Sequence, residues 1–236
     1  MPTIPIIVNK VTPTLYLASQ SPRRRELLDQ LGVRYELLLP DADEDTETLE
    51  RVLPNEAPVA YVKRVTQLKL DAALQRLQRR GLPMAPVLCS DTTVALGRKI
   101  YGKPVDAADA TRMLTELSNT THRVLTAVAL GTARRREQVV SESRVTFAAM
   151  NPGQIQSYVA SGEPMGKAGS YAVQGRAAAF ISRISGSYSG IMGLPMFEMA
   201  QLLKSFDQCK NLFMEEKLPH HARNDGTDGL PCKKTF

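Results

Sequence analysis

Strand-like apolar segments alternate with amphipathic helical segments along this chain, and this alternation restricts its possible folds more than any other feature. Residues 14–18 and 87–90 are short apolar runs typical of strands, whereas apolar residues recur at helical spacing over residues 57–77. Hairpin signals follow around Gly97 and around residues 134–136. The order of these segments predicts a mixed α/β fold, in which helices cover a sheet.

The chain has 236 residues, of which 43% are hydrophobic, so it can bury a substantial core as one domain or as two tightly joined lobes. A last helix is predicted over residues 195–206. Beyond Asp207 the sequence is polar, and residues 220–234 are rich in Gly, Pro and charged residues. We therefore expect residues 208–236 to form a disordered tail and residues 1–13 to form an N-terminal extension.

Composition disfavours several classes of protein. No apolar run reaches the ~18 residues that a membrane span requires, and residues 1–10 lack the features of a secretory signal, so we expect a soluble, cytoplasmic protein. The three cysteines are far apart and form no Cys-x-x-Cys pair, which indicates reduced thiols instead of a disulfide framework or a zinc site. His122 is the only histidine outside the expected tail, which argues against a Ser-His-Asp triad. The net charge of +6 suits an anionic ligand.

The residues between the first predicted strand and the first predicted helix form a candidate phosphate site. Ser21 occupies the expected N-cap and Pro22 the first helical position, so backbone N–H groups and the helix dipole point toward Ser19. Arg23 and Arg24 follow in the first turn, where positive charge is unfavourable unless an anion compensates it. Two interpretations stay open on spacing alone: a bound phosphate, or a solvated basic helix face.

A carboxylate follows the apolar strand of residues 87–90. We expect Asp91 at the end of this strand, where open α/β sheets often hold a metal ligand or a base, although a solvated turn residue is the alternative. The acidic loop further upstream offers a second carboxylate for a divalent cation, Mg²⁺ or Mn²⁺. Nothing local chooses among Asp43, Glu44 and Asp45.

Two further segments contain candidate binding residues. Residues 97–103 match the Gly-x-x-x-x-Gly-Lys spacing, but Pro104 stands where a P-loop requires Ser or Thr. We therefore predict a hairpin turning at the first glycine, beyond which Lys103 can reach a phosphate. The Gly-rich residues 163–175 include Gln174, whose amide can read a base edge, with an ordinary loop residue as the alternative.

Five blocks of sequence occur in the order LYLASQSPRRRELLDQLG, SDTTVALGRKIYGKP, LSNTTHRVLTAVAL, EPMGKAGSYAVQG and GIMGLP. Together they closely resemble the Maf family of nucleotide pyrophosphatases, historically called septum-formation proteins. Order and spacing agree over about residues 14–206, and agreement across several blocks is far more specific than any single motif.

The resemblance implies a fold similar to that of inosine triphosphate pyrophosphatases: an elongated mixed sheet with flanking helices, in which two lobes of residues 14–207 surround a central cleft. It implies that Asp91 is the general base, and that Thr92 and Gln174 help to set base choice. Asp43 or Glu44 falls where the family has a carboxylate that supports the metal together with Asp91. The resemblance places these side chains around the triphosphate: Ser19, Arg23, Arg24, Lys69 and Lys103.

The segment Tyr-x-x-Gln-Gly, which begins at Tyr171, resembles the branch of the family that acts on dTTP and UTP. Modified pyrimidine nucleotides are further candidate substrates, and 7-methyl-GTP is the alternative within the family. A Gln amide offers a donor and an acceptor together, which suits O4 and N3–H of thymine or uracil. Several members of the family act as dimers, so the resemblance also implies a homodimer.

Three positions depart from the family pattern. Cys89-Ser90 replaces a common Gly-Ala before the aspartate, Asn119 replaces a usual Gly, and Gly166 replaces a usual Asp. The last change removes a negative charge beside Lys167, so we expect a weaker metal affinity or a lower rate.

Two other classes of function are compatible with the composition. The net charge and the Arg134-Arg135-Arg136 run suit a nucleic-acid-binding protein, but aromatic residues make up only 6% of the chain, too few for a base-stacking surface. A protein-interaction regulator of cell division without turnover is the other class. Hydrolysis of a nucleotide distinguishes an enzyme from both.

Overall fold

The computed structural model describes the backbone of residues 15–42, 44 and 48–215, and the side chains of these residues up to residue 206. The expected N-terminal extension, residues 216–236 of the expected tail, and two acidic candidates, Asp43 and Asp45, lie outside the described residues. No helix in the described part of the chain is both long and apolar enough to cross a bilayer.

The described residues form seven strands, six helices and three short 3₁₀ turns. The strands are β1 (Leu15–Leu17), β2 (Tyr35–Leu37), β3 (Val87–Leu96), β4 (Lys99–Tyr101), β5 (Thr121–Gly131), β6 (Arg136–Phe147) and β7 (Ile181–Ser185). The helices are α1 (Pro22–Gln30), α2 (Pro58–Arg79), α3 (Ala107–Leu117), α4 (Pro152–Ala160), α5 (Tyr188–Met192) and α6 (Met196–Glu215). The 3₁₀ turns are Thr48–Glu50, Ala168–Ser170 and Arg176–Phe180.

All seven strands of the described part join one sheet, in the order β2-β1-β3-β5-β6-β7, with β4 paired to β3. β1 runs parallel to β2 and β3, whereas the remaining pairs are antiparallel. The expected mixed α/β fold is confirmed, with a mostly antiparallel sheet. The parallel β1 matters for function, because its end leads directly into α1.

Helix α2 covers one face of the centre of this sheet. Its apolar side chains, predicted from their helical spacing, pack on alternate residues of β3 and β5. Val65 and Leu70 are fully buried there, against Leu125 and Ala129 among others. Burial of each such side chain contributes about 2 kcal/mol, so this layer fixes the position of α2 over the sheet.

The opposite face of the sheet carries a second apolar cluster, formed with α3 and α4. Val94 of β3 and Val124 of β5 contribute to it, together with Leu114 of α3 and Tyr158 of α4. Because successive side chains of a strand point to opposite faces, neighbouring residues of β3 belong to different layers. This alternation decides which groups meet in the functional site.

Several local predictions are confirmed. The hairpin between β3 and β4 turns at Gly97, whose φ of +60° lies in the left-handed region that glycine adopts without a steric penalty. Asp106 caps α3, because its side chain accepts a hydrogen bond from the backbone N–H of Asp109. Asn151 and Gln154 form a complete capping box at the start of α4.

The predicted position of Asp91 at the end of a strand is wrong. β3 continues to Leu96, because residues 91–95 pair with β5 in an unbroken antiparallel register. Asp91 therefore lies inside the strand, opposite Ala127. The predicted cap of α1 is also wrong in detail: Ser21 is at the N-cap but its side chain makes no capping hydrogen bond, and its N–H donates to Ser19 Oγ at 3.2 Å.

The last helix is longer than predicted, and the second strand is shorter. α6 continues to Glu215, so residues 208–215, predicted as tail, are helical; they contain neither Gly nor Pro to end the helix. β2 covers Tyr35–Leu37 instead of residues 33–39. The chain divides into two compact units, Met1–Leu202 and Leu203–Phe236, and in the second unit the described residues are helical.

Candidate functional site

A cleft of about 880 Å³ opens within the first unit. Its walls come from the loop between β1 and α1, from α2, from β3, and from the Gly-rich segment between α4 and β7. A smaller cavity of about 450 Å³ beside Tyr158 and Arg176 holds none of the candidate residues. The larger cleft brings these predicted site residues together: Ser19, Arg23, Arg24, Lys69, Asp91, Thr92, Lys103 and Gln174.

Strand β3 delivers polar side chains to the cleft from both of its faces. Asp91 lies on the face that α2 covers, since residues 89 and 95 of the same strand pack under that helix. Ser90 and Thr92 point the other way, and Ser90 Oγ donates to the backbone oxygen of Gly193 at 2.9 Å. Thr92 Oγ1 lies 3.0 Å from Thr126 Oγ1 of β5. A strand interior therefore holds Asp91 more rigidly than the expected strand end would.

Lys69 of α2 is paired with two carboxylates at once. Its Nζ donates to Asp91 Oδ1 at 2.6 Å and to Glu50 Oε1 at 2.7 Å. Burial opposes the charge of Lys69, but the negative charges of Asp91 and Glu50 outweigh this effect and raise the pKa of the lysine. Lys69 is thus a charged, partly buried ammonium that links the two carboxylates.

Glu50 is a site residue that the sequence did not single out. Besides Lys69, its carboxylate accepts from Lys103 Nζ at 2.9 Å. The Tyr61 hydroxyl holds its backbone by donating to the Glu50 oxygen at 2.9 Å. Burial raises the pKa of Glu50, but the two lysines outweigh burial and leave it below its ordinary value. Only the acidic composition of the loop hinted at this residue, because its partners are distant in sequence.

Arg24 is held on the opposite side of the cleft. Its Nε donates to the Gly193 oxygen at 2.9 Å, and its Nη1 donates to Ser19 Oγ at 3.0 Å. Its Nη2 lies 3.5 Å from Thr92 Oγ1. Burial lowers the pKa of Arg24, and the charge of Asp91 partly opposes that effect. The guanidinium therefore ties the α1 N-terminus to β3 and stays cationic, because its ordinary pKa lies far above neutrality.

Arg23 and Lys167 are cations that form no ion pair with a carboxylate of the described residues. The Nε of Arg23 is buried and has no hydrogen-bond partner among the described residues. Burial, and then the charge of Arg23, lower the pKa of Lys167. Lys167 Nζ donates to the backbone oxygen of Glu163. Two like charges near one buried donor are unfavourable, so this corner of the cleft is electrostatically suited to an anion.

Gln174 lies on the Gly-rich wall, as predicted. Its side chain is exposed, and it forms no hydrogen bond with any other described residue. A hydrogen bond of 3.0 Å from Gly175 N–H to the Ala172 oxygen closes the turn that carries it. The amide is therefore available to a ligand.

Glu44 is engaged elsewhere. Its carboxylate forms an ion pair with Arg76 and with Arg79, and hydrogen bonds from these groups lower its pKa to about 2. Among the described residues, Glu50 lines the cleft and Glu44 does not. Its predicted role in metal binding, like that of Asp43, stays a prediction.

His122 and Cys89 lie in the core. His122 Nε2 is 2.8 Å from the Tyr171 hydroxyl, and burial lowers the histidine pKa to about 4, which keeps the ring neutral near pH 7. Burial raises the pKa of Cys89 to about 12, so its thiol stays protonated. Neither group is suited to act as the acid, base or nucleophile of this cleft.

The fold and the cleft define a mixed α/β protein with one strand-borne carboxylate among cationic groups, the arrangement of an enzyme for phosphorylated substrates. The model of the Maf-like protein family matches residues 14–206 of this chain. The chain therefore belongs to the Maf-like protein family.

Several proteins similar to this chain share one name. A protein of Albidiferax ferrireducens, named dTTP/UTP pyrophosphatase, is 84% identical over 192 residues, which cover 81% of this chain and 96% of that protein. Proteins of Polaromonas sp. and Cupriavidus metallidurans with the same name are 70% and 64% identical, over 81% and 82% of this chain and 95% and 97% of their own lengths.

Two solved structures share a lower sequence identity with this chain. The Ham1 protein of Staphylococcus aureus matches 57% of this chain and 70% of its own, with 13% identity and a TM-score of 0.32. Protein VC0702 of Vibrio cholerae matches 64% of this chain and 79% of its own, with 13% identity and a TM-score of 0.30.

Proposed function

We propose that this protein hydrolyses dTTP and UTP to the nucleoside monophosphate and pyrophosphate. Family membership and the name shared by relatives up to 84% identical support the reaction. One observation in the cleft supports it most strongly: the Asp91 carboxylate, within a central strand, is bonded to Lys69 and faces a region that also holds Arg23, Arg24 and Lys103. Modified pyrimidine triphosphates are further candidate substrates.

In this proposal Asp91 is the general base. Its Oδ1 accepts from Lys69, whereas Oδ2 accepts no hydrogen bond from the described residues and is available to a water molecule. That water attacks the α-phosphorus in line with the departing pyrophosphate, and Asp91 accepts its proton. The ammonium of Lys69 keeps the carboxylate in place and is close enough to contact a phosphate oxygen.

The remaining cations bind and stabilise the phosphate chain. Arg23 has a buried Nε without a partner among the described residues, and it lies with Arg24 in the first turn of α1, where an anion is favoured, next to Ser19 of the preceding loop. Lys103, whose side chain is half exposed, exchanges Glu50 for a phosphate oxygen at little cost. Positioned positive charge then stabilises the pyrophosphate as it leaves, which is where most of the barrier reduction arises.

A divalent cation, Mg²⁺ or Mn²⁺, fits this set of donors. Asp91 and Glu50 are two carboxylates that share one lysine, and Mg²⁺ commonly combines one or two carboxylates with substrate phosphate oxygens. Among the described residues, no group of three or more His, Cys, Asp or Glu side chains is arranged to hold a metal ion. When bound, the cation supplies positive charge to the phosphate oxygens.

Gln174 and Thr92 set base choice in this proposal. The free amide of Gln174 offers one donor and one acceptor, which match O4 and N3–H of thymine and uracil. We also propose that the protein forms a homodimer, because the family resemblance implies one.

A nucleotide panel tests this function. The purified protein is assayed with dTTP, UTP, CTP and 7-methyl-GTP, each with Mg²⁺ and with Mn²⁺, and both pyrophosphate and inorganic phosphate are measured. We expect pyrophosphate as the product, no release of inorganic phosphate, and the highest kcat/KM for dTTP or UTP. Preferred turnover of 7-methyl-GTP contradicts the base choice, and absence of turnover with every nucleotide contradicts the function.

A further inference from the structure

Glu163, a carboxylate that the mechanism does not use, lies at the start of the Gly-rich wall of the cleft. Its side chain is partly buried, and each of its two carboxylate oxygens accepts a hydrogen bond. Its Oε2 accepts a hydrogen bond of 3.0 Å from the backbone N–H of Arg176. Its Oε1 accepts a hydrogen bond of 2.9 Å from the hydroxyl of Tyr158, on α4.

The fit between this carboxylate and the chain after Gln174 is very close. A Cβ added to Gly175 would lie 2.1 Å from Glu163 Oε1, so a side chain at this position would displace the carboxylate. The backbone oxygen of Glu163 also accepts from Lys167 Nζ. Glu163 thus accepts hydrogen bonds from Lys167 and Arg176, which lie on either side of Gln174 along the chain.

The charge of Glu163 is maintained by these contacts. Burial raises its pKa, but the backbone N–H of Arg176 and the Tyr158 hydroxyl outweigh burial and leave the pKa below its ordinary value. A charged acceptor makes stronger hydrogen bonds than a neutral one, so the Arg176 N–H is held firmly at neutral pH. The residue two positions earlier is Gln174, whose own amide is free.

We propose that Glu163 is a positioning residue for substrate choice: it fixes the backbone beside Gln174 so that the Gln174 amide meets the pyrimidine edge with two hydrogen bonds at once. This inference rests on the proposed function and extends it. The Gln174 amide can turn over to pair with either uracil or cytosine, and each pair needs two hydrogen bonds, whereas N3-methyluracil keeps O4 but lacks N3–H and can form only one. Two bonds require a fixed distance and plane, because hydrogen bonds weaken steeply with poor geometry.

The variant Glu163→Gln tests this inference. It keeps the size of the side chain, but the amide nitrogen it introduces cannot accept a hydrogen bond and the charge is lost. We expect the ratio of kcat/KM for UTP over N3-methyl-UTP to fall ~10-fold, mainly through a higher KM for UTP, with kcat for UTP within ~3-fold of the wild type. The Arg176 amide should exchange its hydrogen faster.

Glu116→Gln is the matched control. Glu116 also accepts from a tyrosine hydroxyl, that of Tyr101 at 2.7 Å, but it does not line the cleft. This variant should keep the wild-type preference for UTP. If Glu163→Gln fails to fold, Tyr158→Phe removes a single hydrogen bond from the same carboxylate and should lower the preference in the same direction by a smaller factor.

Equilibrium binding of the non-hydrolysable α,β-imido analogues of UTP and N3-methyl-UTP separates the two proposals. A wild-type protein that turns over no triphosphate contradicts the proposed function, while its binding preference for the UTP analogue still measures base choice. A folded Glu163→Gln protein with faster exchange at Arg176 and an unchanged binding and kinetic preference overturns the role of Glu163. Loss of the preference in Glu163→Gln, together with a wild-type preference in Glu116→Gln, supports the role of Glu163.

Discussion

Asp91 combines rigidity with access to the cleft, and both properties come from its strand. The antiparallel pairing of β3 with β5 fixes the backbone of Asp91, and a hydrogen bond from Lys69 fixes one of its carboxylate oxygens. A base must be positioned within hydrogen-bond reach of the water it activates, and a strand interior provides this position without a mobile loop.

Replacing Asp91 by Asn removes the proton acceptor and preserves the shape of the side chain. We expect kcat to fall at least ~100-fold while binding of a non-hydrolysable triphosphate analogue changes little. Asp71→Asn is the control, because Asp71 lies on the same helix as Lys69 but pairs with Arg136 at the surface. Equal turnover by the two variants contradicts the role of Asp91.

Glu44 contributes to stability in a pH-dependent way. Its pKa is about 2 in the folded protein against an ordinary value of 4.5, and a carboxyl whose pKa is lowered by folding stabilises the protein above its unfolded pKa. We expect Glu44→Gln to lower the free energy of unfolding at pH 7 by about 2 kcal/mol. This difference should disappear as the pH falls from 4.5 to 2.

Denaturant unfolding at several pH values measures the effect of Glu44. Glu142→Gln is the control, since Glu142 pairs with Arg123 at 3.4 Å on the surface and such a pair contributes less than about 1 kcal/mol. A difference between wild type and Glu44→Gln that persists unchanged at pH 2 contradicts the role of its charge.

At the scale of elements, α1 and α3 begin in different ways. Asp106 makes a side-chain hydrogen bond to the third residue of α3, whereas Ser21 makes no such bond at the start of α1. The backbone N–H groups at the N-terminus of α1 therefore donate no hydrogen bond to the cap side chain. This end of the helix faces the cleft together with Arg23 and Arg24. Incomplete capping leaves backbone N–H groups available to a phosphate.

The two caps should differ in their effect on stability. We expect Asp106→Ala to lower the free energy of unfolding by about 1 kcal/mol, and Ser21→Ala to lower it by less than about 0.5 kcal/mol. Thermal or denaturant unfolding without nucleotide measures both variants under the same conditions. Equal losses would contradict the difference between the two helix starts.

Local elements could be predicted from the sequence, because their signals lie within a few residues. The turn at Gly97, the cap at Asp106 and the capping box at Asn151 depend on short-range sterics and hydrogen bonds. The length of β3 could not be predicted from its polar residues 90–93, because pairing with β5 determines it. Tertiary pairing overrode the local turn preference of Asp91.

At the scale of the whole molecule, the cleft gathers groups from segments far apart in sequence. Arg23 comes from α1, Lys69 from α2, Asp91 from β3 and Gln174 from the Gly-rich segment. The candidate residues were identified by motif and by family resemblance, but no local signal showed that Glu50 would bridge Lys69 and Lys103. Such a bridge depends on how α2 packs on the sheet, which is a property of the complete fold.

The site of bond cleavage is the most direct test of the proposed reaction. The protein is allowed to hydrolyse dTTP in water enriched in ¹⁸O, and the label is located by mass spectrometry of both products. Attack on the α-phosphorus places the ¹⁸O in the monophosphate and none in the pyrophosphate. Label in the pyrophosphate, or release of inorganic phosphate in place of pyrophosphate, would contradict a water molecule activated by Asp91 at the α-phosphorus.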